Sequence, residues 1–68
     1  MTLTVNGESR EVAPAETVAG IVAGLAGSGE ARGVAVAVNG DVVPRSAWVT
    51  TVLRDGDAVE VLTAVQGG

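Results

Sequence analysis

The chain has 68 residues, 47% of them hydrophobic, and a net charge of −4 from eight carboxylate side chains against four arginines. That is one small domain, and at this size only about 60% of the unfolded surface is buried, so the core must be economical. Without Cys or His, the chain has no disulfides, thiolate or imidazole metal ligands, Ser/His or Cys/His nucleophiles or the usual general base, and its acidity argues against nucleic-acid or anionic membrane surfaces.

The pattern opens with a strand. Thr2-Leu3-Thr4-Val5 alternates polar and apolar residues, which predicts a half-buried strand with Leu3 and Val5 inward. Asn6-Gly7 is a strong hairpin signal. Ser9 to Ala13 is expected to return antiparallel as a solvated edge, with Val12 inward, until Pro14 stops it. Glu16 or Thr17 opens a helix, and Thr17 is the better N-cap candidate. Val18, Ile21, Val22 and Leu25 then recur at helical spacing and form one apolar stripe. The opposite side is Ala and Gly, and each interior Gly weakens a helix by about 1 kcal/mol against Ala. Packing against a sheet must therefore hold this helix, which Gly27-Ser28-Gly29 is expected to end.

Val34 to Val38 alternates Val and Ala and predicts a third strand, followed by a turn at Asn39-Gly40-Asp41. Val42-Val43 is expected to form a brief strand, and Arg45 to Trp48 an irregular or short helical connection after Pro44. Thr50 to Leu53 reads as another short strand. Asp55-Gly56-Asp57 is a tight turn, and Ala58 to Val65 is the longest strand signal, with Val59, Val61 and Val65 on one side.

A single amphipathic helix needs an apolar partner surface. The order therefore predicts an α+β fold: a mixed sheet of four to five strands with one helix across one face. The first and last strands are expected to lie together at its centre. That is the β-grasp, or ubiquitin-like, arrangement, with the domain over 1–64 and a flexible tail over 65–68. The apolar run around Val18 to Ala26 is far shorter than the roughly 20 residues a membrane span needs, and no signal-peptide pattern precedes it. The expected location is the cytoplasm.

Most candidate sites have an ordinary reading. Asp55-Gly56-Asp57 lacks a third ligand for a cation and reads as a turn. Gly27, Gly29 and Gly33 follow a helix, whereas phosphate-binding loops open one after a strand. Trp48, the only aromatic residue, is expected to pack in or at the edge of the core. Arg45 reads as solvated or locally paired, and Ser46 has no base to activate it. The end of the chain is different. In Val65-Gln66-Gly67-Gly68, two residues without Cβ precede an α-carboxylate, so the backbone can enter a narrow slot. That carboxylate is ionised at neutral pH, with a pKa of about 3.5, and as a poor electrophile it needs activation, typically as an acyl-adenylate.

Three segments together resemble the ThiS family of sulfur carriers in thiamin biosynthesis. They are Asn39-Gly-Asp-Val-Val-Pro-Arg-Ser-Ala-Trp48, Leu53-Arg-Asp-Gly-Asp-Ala-Val-Glu-Val61 and Ala64-Val-Gln-Gly-Gly68. The most specific parts are Val43-Pro44-Arg45-x-x-Trp48, the Asp55-Gly56-Asp57 turn and the terminal Gly67-Gly68. The resemblance implies a carrier that acts as a co-substrate, not an enzyme, with no catalytic residues, metal or bound cofactor of its own. An E1-like adenylating enzyme of the ThiF type would use ATP and magnesium to adenylate Gly68, with Gln66 and Gly67 presenting it. A cysteine desulfurase relay would convert the adenylate to a thiocarboxylate, and a thiazole synthase of the ThiG type would consume its sulfur. The small subunit of molybdopterin synthase, another ubiquitin-like sulfur carrier, and a ubiquitin-like modifier acting through Gly68 share the tail chemistry. A plain interaction domain is the remaining alternative.

Strand parity suggests where partners hold the body. If Val59, Val61 and Val65 face the helix, then Glu60, Leu62 and Ala64 face away, beside Thr2, Thr4, Ala35 and Ala37. An apolar Leu62 with polar Glu60 beside it is the expected form of a docking surface.

Overall fold

The alternating first segment forms strand β1 (Thr2–Val5), and Asn6-Gly7 turns it into β2 (Glu8–Glu11). Helix α1 (Val18–Ala26) follows, then β3 (Val34–Val38), β4 (Asp41–Val43), a short 3-10 helix at Arg45–Ala47 and β5 (Ala58–Thr63). The computed structural model describes residues 1–26 and 33–63. The expected helix stop at Gly27-Ser28-Gly29, and Ala64 to Gly68, lie outside the described residues. The sheet runs β2-β1-β5-β3-β4; β1 and β5 are parallel and the other neighbours antiparallel. One helix on this mixed five-stranded sheet makes the predicted β-grasp.

Leu3 and Val5 of β1, Val36 of β3 and Val59 of β5 are buried with Val18, Ile21 and Val22 of α1, and Trp48 and Leu53 complete the cluster. Those three helix positions follow the 3.6-residue period, so the helix presents one side to the sheet. Leu25, expected on the same stripe, is partly exposed at the end of the helix.

Two sequence expectations need correction. The second strand begins one residue early and ends at Glu11, with all four of its residues exposed. Val12 lies beyond it, yet packs partly buried against the core and exchanges two hydrogen bonds of 2.8 Å with Met1. The edge strand is thus solvated as predicted, with its apolar anchor just outside it.

The second correction concerns Thr50 to Leu53, which form no strand and make only an isolated bridge between Val52 and Thr17. Their backbone groups are used to seat the helix. Val18 N–H donates to Thr51 C=O and Ala19 N–H to Trp48 C=O, both at 3.1 Å, while Leu53 N–H donates to Glu16 C=O at 2.8 Å. A helix start leaves its first N–H groups without internal partners, and here the connecting segment supplies carbonyls for two of them. Within the segment, Thr51 C=O and Leu53 N–H are thus engaged by the residues that open the helix and not by a neighbouring strand.

Thr17 completes the seat. Its Oγ1 accepts the Gly20 N–H at 3.2 Å, the N-cap geometry expected from the sequence. Thr17→Ala is therefore expected to lower unfolding free energy by about 1 kcal/mol in a urea melt. An unchanged midpoint would mean that the borrowed carbonyls suffice without the cap.

Candidate functional site: the final strand and its outer face

Strand β5 lies between β1 and β3 and carries the chain towards its end, so its supports define the site. They begin at the preceding turn. Asp55 Oδ1 accepts the Thr2 N–H at 2.7 Å, and Gly56 N–H donates to Thr2 C=O at 2.8 Å. Asp57 Oδ2 accepts the Arg54 N–H at 2.8 Å, and its Oδ1 accepts from Asn39 Nδ2 at 2.9 Å. Carboxylates engaged with N–H donors in this way are structural, consistent with the turn reading. Among the described residues no group of three or more carboxylates could hold a metal ion.

Both Asn-Gly turns reach across to the same strand, which the sequence reading missed. Asn6 and Asn39 each sit at φ 51°, with Gly7 at 83° and Gly40 at 88°. Two successive positive φ values make the tight hairpin turn that Asn-Gly favours. That turn leaves the asparagine side chains free to act elsewhere. Asn39 Oδ1 accepts the Ala58 N–H at 3.0 Å where β5 begins. Asn6 Oδ1 accepts the Val61 N–H at 2.8 Å, and Asn6 Nδ2 donates to Val61 C=O at 3.2 Å. The local signal, Asn-Gly, specifies the turn; only the tertiary pairing of β1 with β5 shows what the amides touch.

Trp48 and Arg45, the other prominent residues of the family-like segment, are structural. Trp48 is buried and its Nε1–H donates to Val43 C=O at 2.9 Å. The Arg45 guanidinium carbon lies 5.7 Å from the Trp48 ring centroid, a cation–π distance. Together they fasten the connection after β4 to the core.

The predicted parity of β5 holds within the described residues: Val59 is buried and Val61 half-buried on the helix side, and Glu60 and Leu62 are exposed. Leu62 keeps 67% of its surface exposed. The antiparallel register places Ala35 opposite Leu62 and Ala37 opposite Glu60, so these residues share the outer face. Val42, 76% exposed and opposite Ala37, extends that face onto β4; the sequence reading omitted it. Ala35, Ala37, Val42, Glu60 and Leu62 line an open depression of about 70 Å³. Ala64, Gln66, Gly67 and Gly68, also singled out from the sequence, lie outside the described residues.

No helix among the described residues is long and apolar enough to cross a membrane. The model of the ThiS family matches residues 3–68. The crystal structure of a thiamine biosynthesis protein, ThiS, from Geobacter metallireducens is 40% identical and covers the whole of both chains, with a TM-score of 0.80. A solution structure of a thiamine biosynthesis protein from the same organism is 41% identical, covers all of this chain and 88% of the other, and has a TM-score of 0.77. A thiazole synthase of Paramagnetospirillum magneticum is 34% identical over 68 residues, which are all of this chain and 20% of that protein. The chain thus spans about a fifth of that relative's length. With the β-grasp sheet, one helix and a family match reaching Gly68, the chain belongs to the ThiS family.

Proposed function

We propose that this chain is a sulfur carrier for thiazole formation and acts as a co-substrate, not as a catalyst. The observation that carries the reading is the family match through Gly68, the residue whose carboxylate the chemistry needs. A Gly68 carboxylate oxygen attacks the α-phosphorus of ATP in the site of an E1-like enzyme, and pyrophosphate leaves. Magnesium there neutralises phosphate charge. A reduced sulfur equivalent, supplied through a cysteine desulfurase, then attacks the acyl carbon and displaces AMP, leaving a thiocarboxylate. Thiazole synthase takes that sulfur and returns the carboxylate. Similarity to a thiazole synthase favours this destination over the related molybdopterin branch. The absence of His and Cys from the sequence fits a chain that offers a substrate group and leaves catalysis to its partners. Residues 1–64 are the domain that partners hold, 65–68 are the tail they act on, and the setting is the cytoplasm.

The intact mass of the protein isolated from cells that make thiamin tests this directly. The expected result is a fraction heavier by about 16 Da, the mass of sulfur replacing oxygen at the ionisable terminus. The heavier fraction should disappear when the desulfurase is removed. A single unshifted species in cells with an active pathway would overturn the reading, and attachment to lysines of other proteins would identify a modifier instead.

A further inference from the structure

The β1 side of β5 has an unusual end. Backbone pairing with β1 runs through Thr4 N–H to Asp57 C=O and Asn6 N–H to Val59 C=O. Asn6 then turns away at positive φ, while β5 continues to Thr63. Val61 would be the next residue to bond β1, and its N–H and C=O both meet the Asn6 carboxamide. Val61 N–H can only donate, so the amide oxygen must face it and the amide nitrogen must face the carbonyl. The carboxamide thus stands in for the next peptide group of a strand that has already ended.

From this geometry we infer that Asn6 is a positioning residue for the tail chemistry, an inference that rests on the carrier function proposed above. Gly68 is seven residues beyond Val61, a reach of about 23 Å when fully extended. The described strand ends at Thr63, two residues beyond Val61. On the β3 side, register pairing continues to Val34 and Thr63. On the β1 side, Asn6 is the last described group that holds the strand. Without it Val61 keeps bare polar groups on that side, and the strand end must be ordered whenever an enzyme draws Gly68 into its site. That cost falls after docking, so it lowers the turnover of the adenylation step and leaves the affinity for the folded body unchanged.

Asn39 provides the matched comparison. It has the same turn conformation and also bonds β5, but at Ala58, the first residue of the strand. Asn6→Gly and Asn39→Gly both preserve a residue suited to positive φ while removing the carboxamide. Two measurements on each full-length protein decide the matter: amide hydrogen exchange, and steady-state ATP–pyrophosphate exchange with the adenylating enzyme. For Asn6→Gly, Val61 exchange should quicken at least tenfold relative to Leu53, whose N–H bonds Glu16 in the helix seat. Its kcat should fall at least fivefold with KM within twofold of the original, while Asn39→Gly keeps kcat. Equal quickening at Val61 and Leu53, an unchanged kcat, a rise in KM alone, or an equal kcat loss in Asn39→Gly would each overturn the proposal. Should Asn6→Gly not fold, Asn6→Asp carries the same test: it retains an acceptor for Val61 N–H, sets a second carboxylate oxygen against Val61 C=O, and should lower kcat in the same way. An unaltered chain that is never adenylated would remove the carrier reading and the positioning role with it, whereas loss of kcat or Val61 protection is scored only against an active parent.

Discussion

Adding one residue after Gly68 is expected to abolish adenylation while leaving the urea melt unchanged. The addition moves the α-carboxylate one residue, about 3.5 Å, further along the chain. Displacements of about 1 Å from attack geometry can already cost a hundredfold in rate. Any added residue other than glycine also brings a Cβ to a place where the carrier reading requires a narrow backbone. The hydrogen-bonded sheet through Thr63 is unaltered by an addition that begins beyond Gly68. ATP–pyrophosphate exchange should therefore fall to background, with the partner still able to bind the folded body. Undiminished exchange by the extended chain would sink the carrier reading, because no other carboxylate is assigned the reaction.

The division between what could and could not be read from the sequence follows from the range of each interaction. Alternation over Thr2 to Val5, Val34 to Val38 and Ala58 onward is a local signal, and all three strands form with the expected faces. Thr17 as N-cap and Asn-Gly as hairpin turns are equally local. Thr50 to Leu53 reads as a strand because its β-branched residues favour one, while the helix start, more than 30 positions earlier in the chain, engages Thr51 C=O and Leu53 N–H. Likewise the two turn asparagines bond residues 19 and 55 positions away. No neighbour in the sequence announces such pairings. The exposed Glu60 and Leu62 followed from parity alone, but Val42 joined them only once β4 was placed against β3.

The same register decides how partners are expected to hold the chain. Leu62→Glu should preserve unfolding free energy within about 1 kcal/mol, as exposed substitutions usually do, because Leu62 points away from the helix and is 67% exposed. Its surroundings nevertheless have the composition of a contact. Small Ala35 lies level with it and Ala37 level with Glu60, Val42 is exposed on β4 opposite Ala37, and Glu60 provides a polar rim. An apolar centre with polar edges is the usual anatomy of an interface, and this one lies on the strand that leads into the tail. A glutamate at its centre must be desolvated on docking, with no cation among the lining residues to receive it. Binding to the adenylating enzyme or the thiazole synthase should consequently weaken at least tenfold, about 1.4 kcal/mol. Titration calorimetry beside a urea melt measures both quantities. Unchanged affinity for both enzymes would place docking on another face, and a strongly destabilised variant would contradict the exposed position of Leu62.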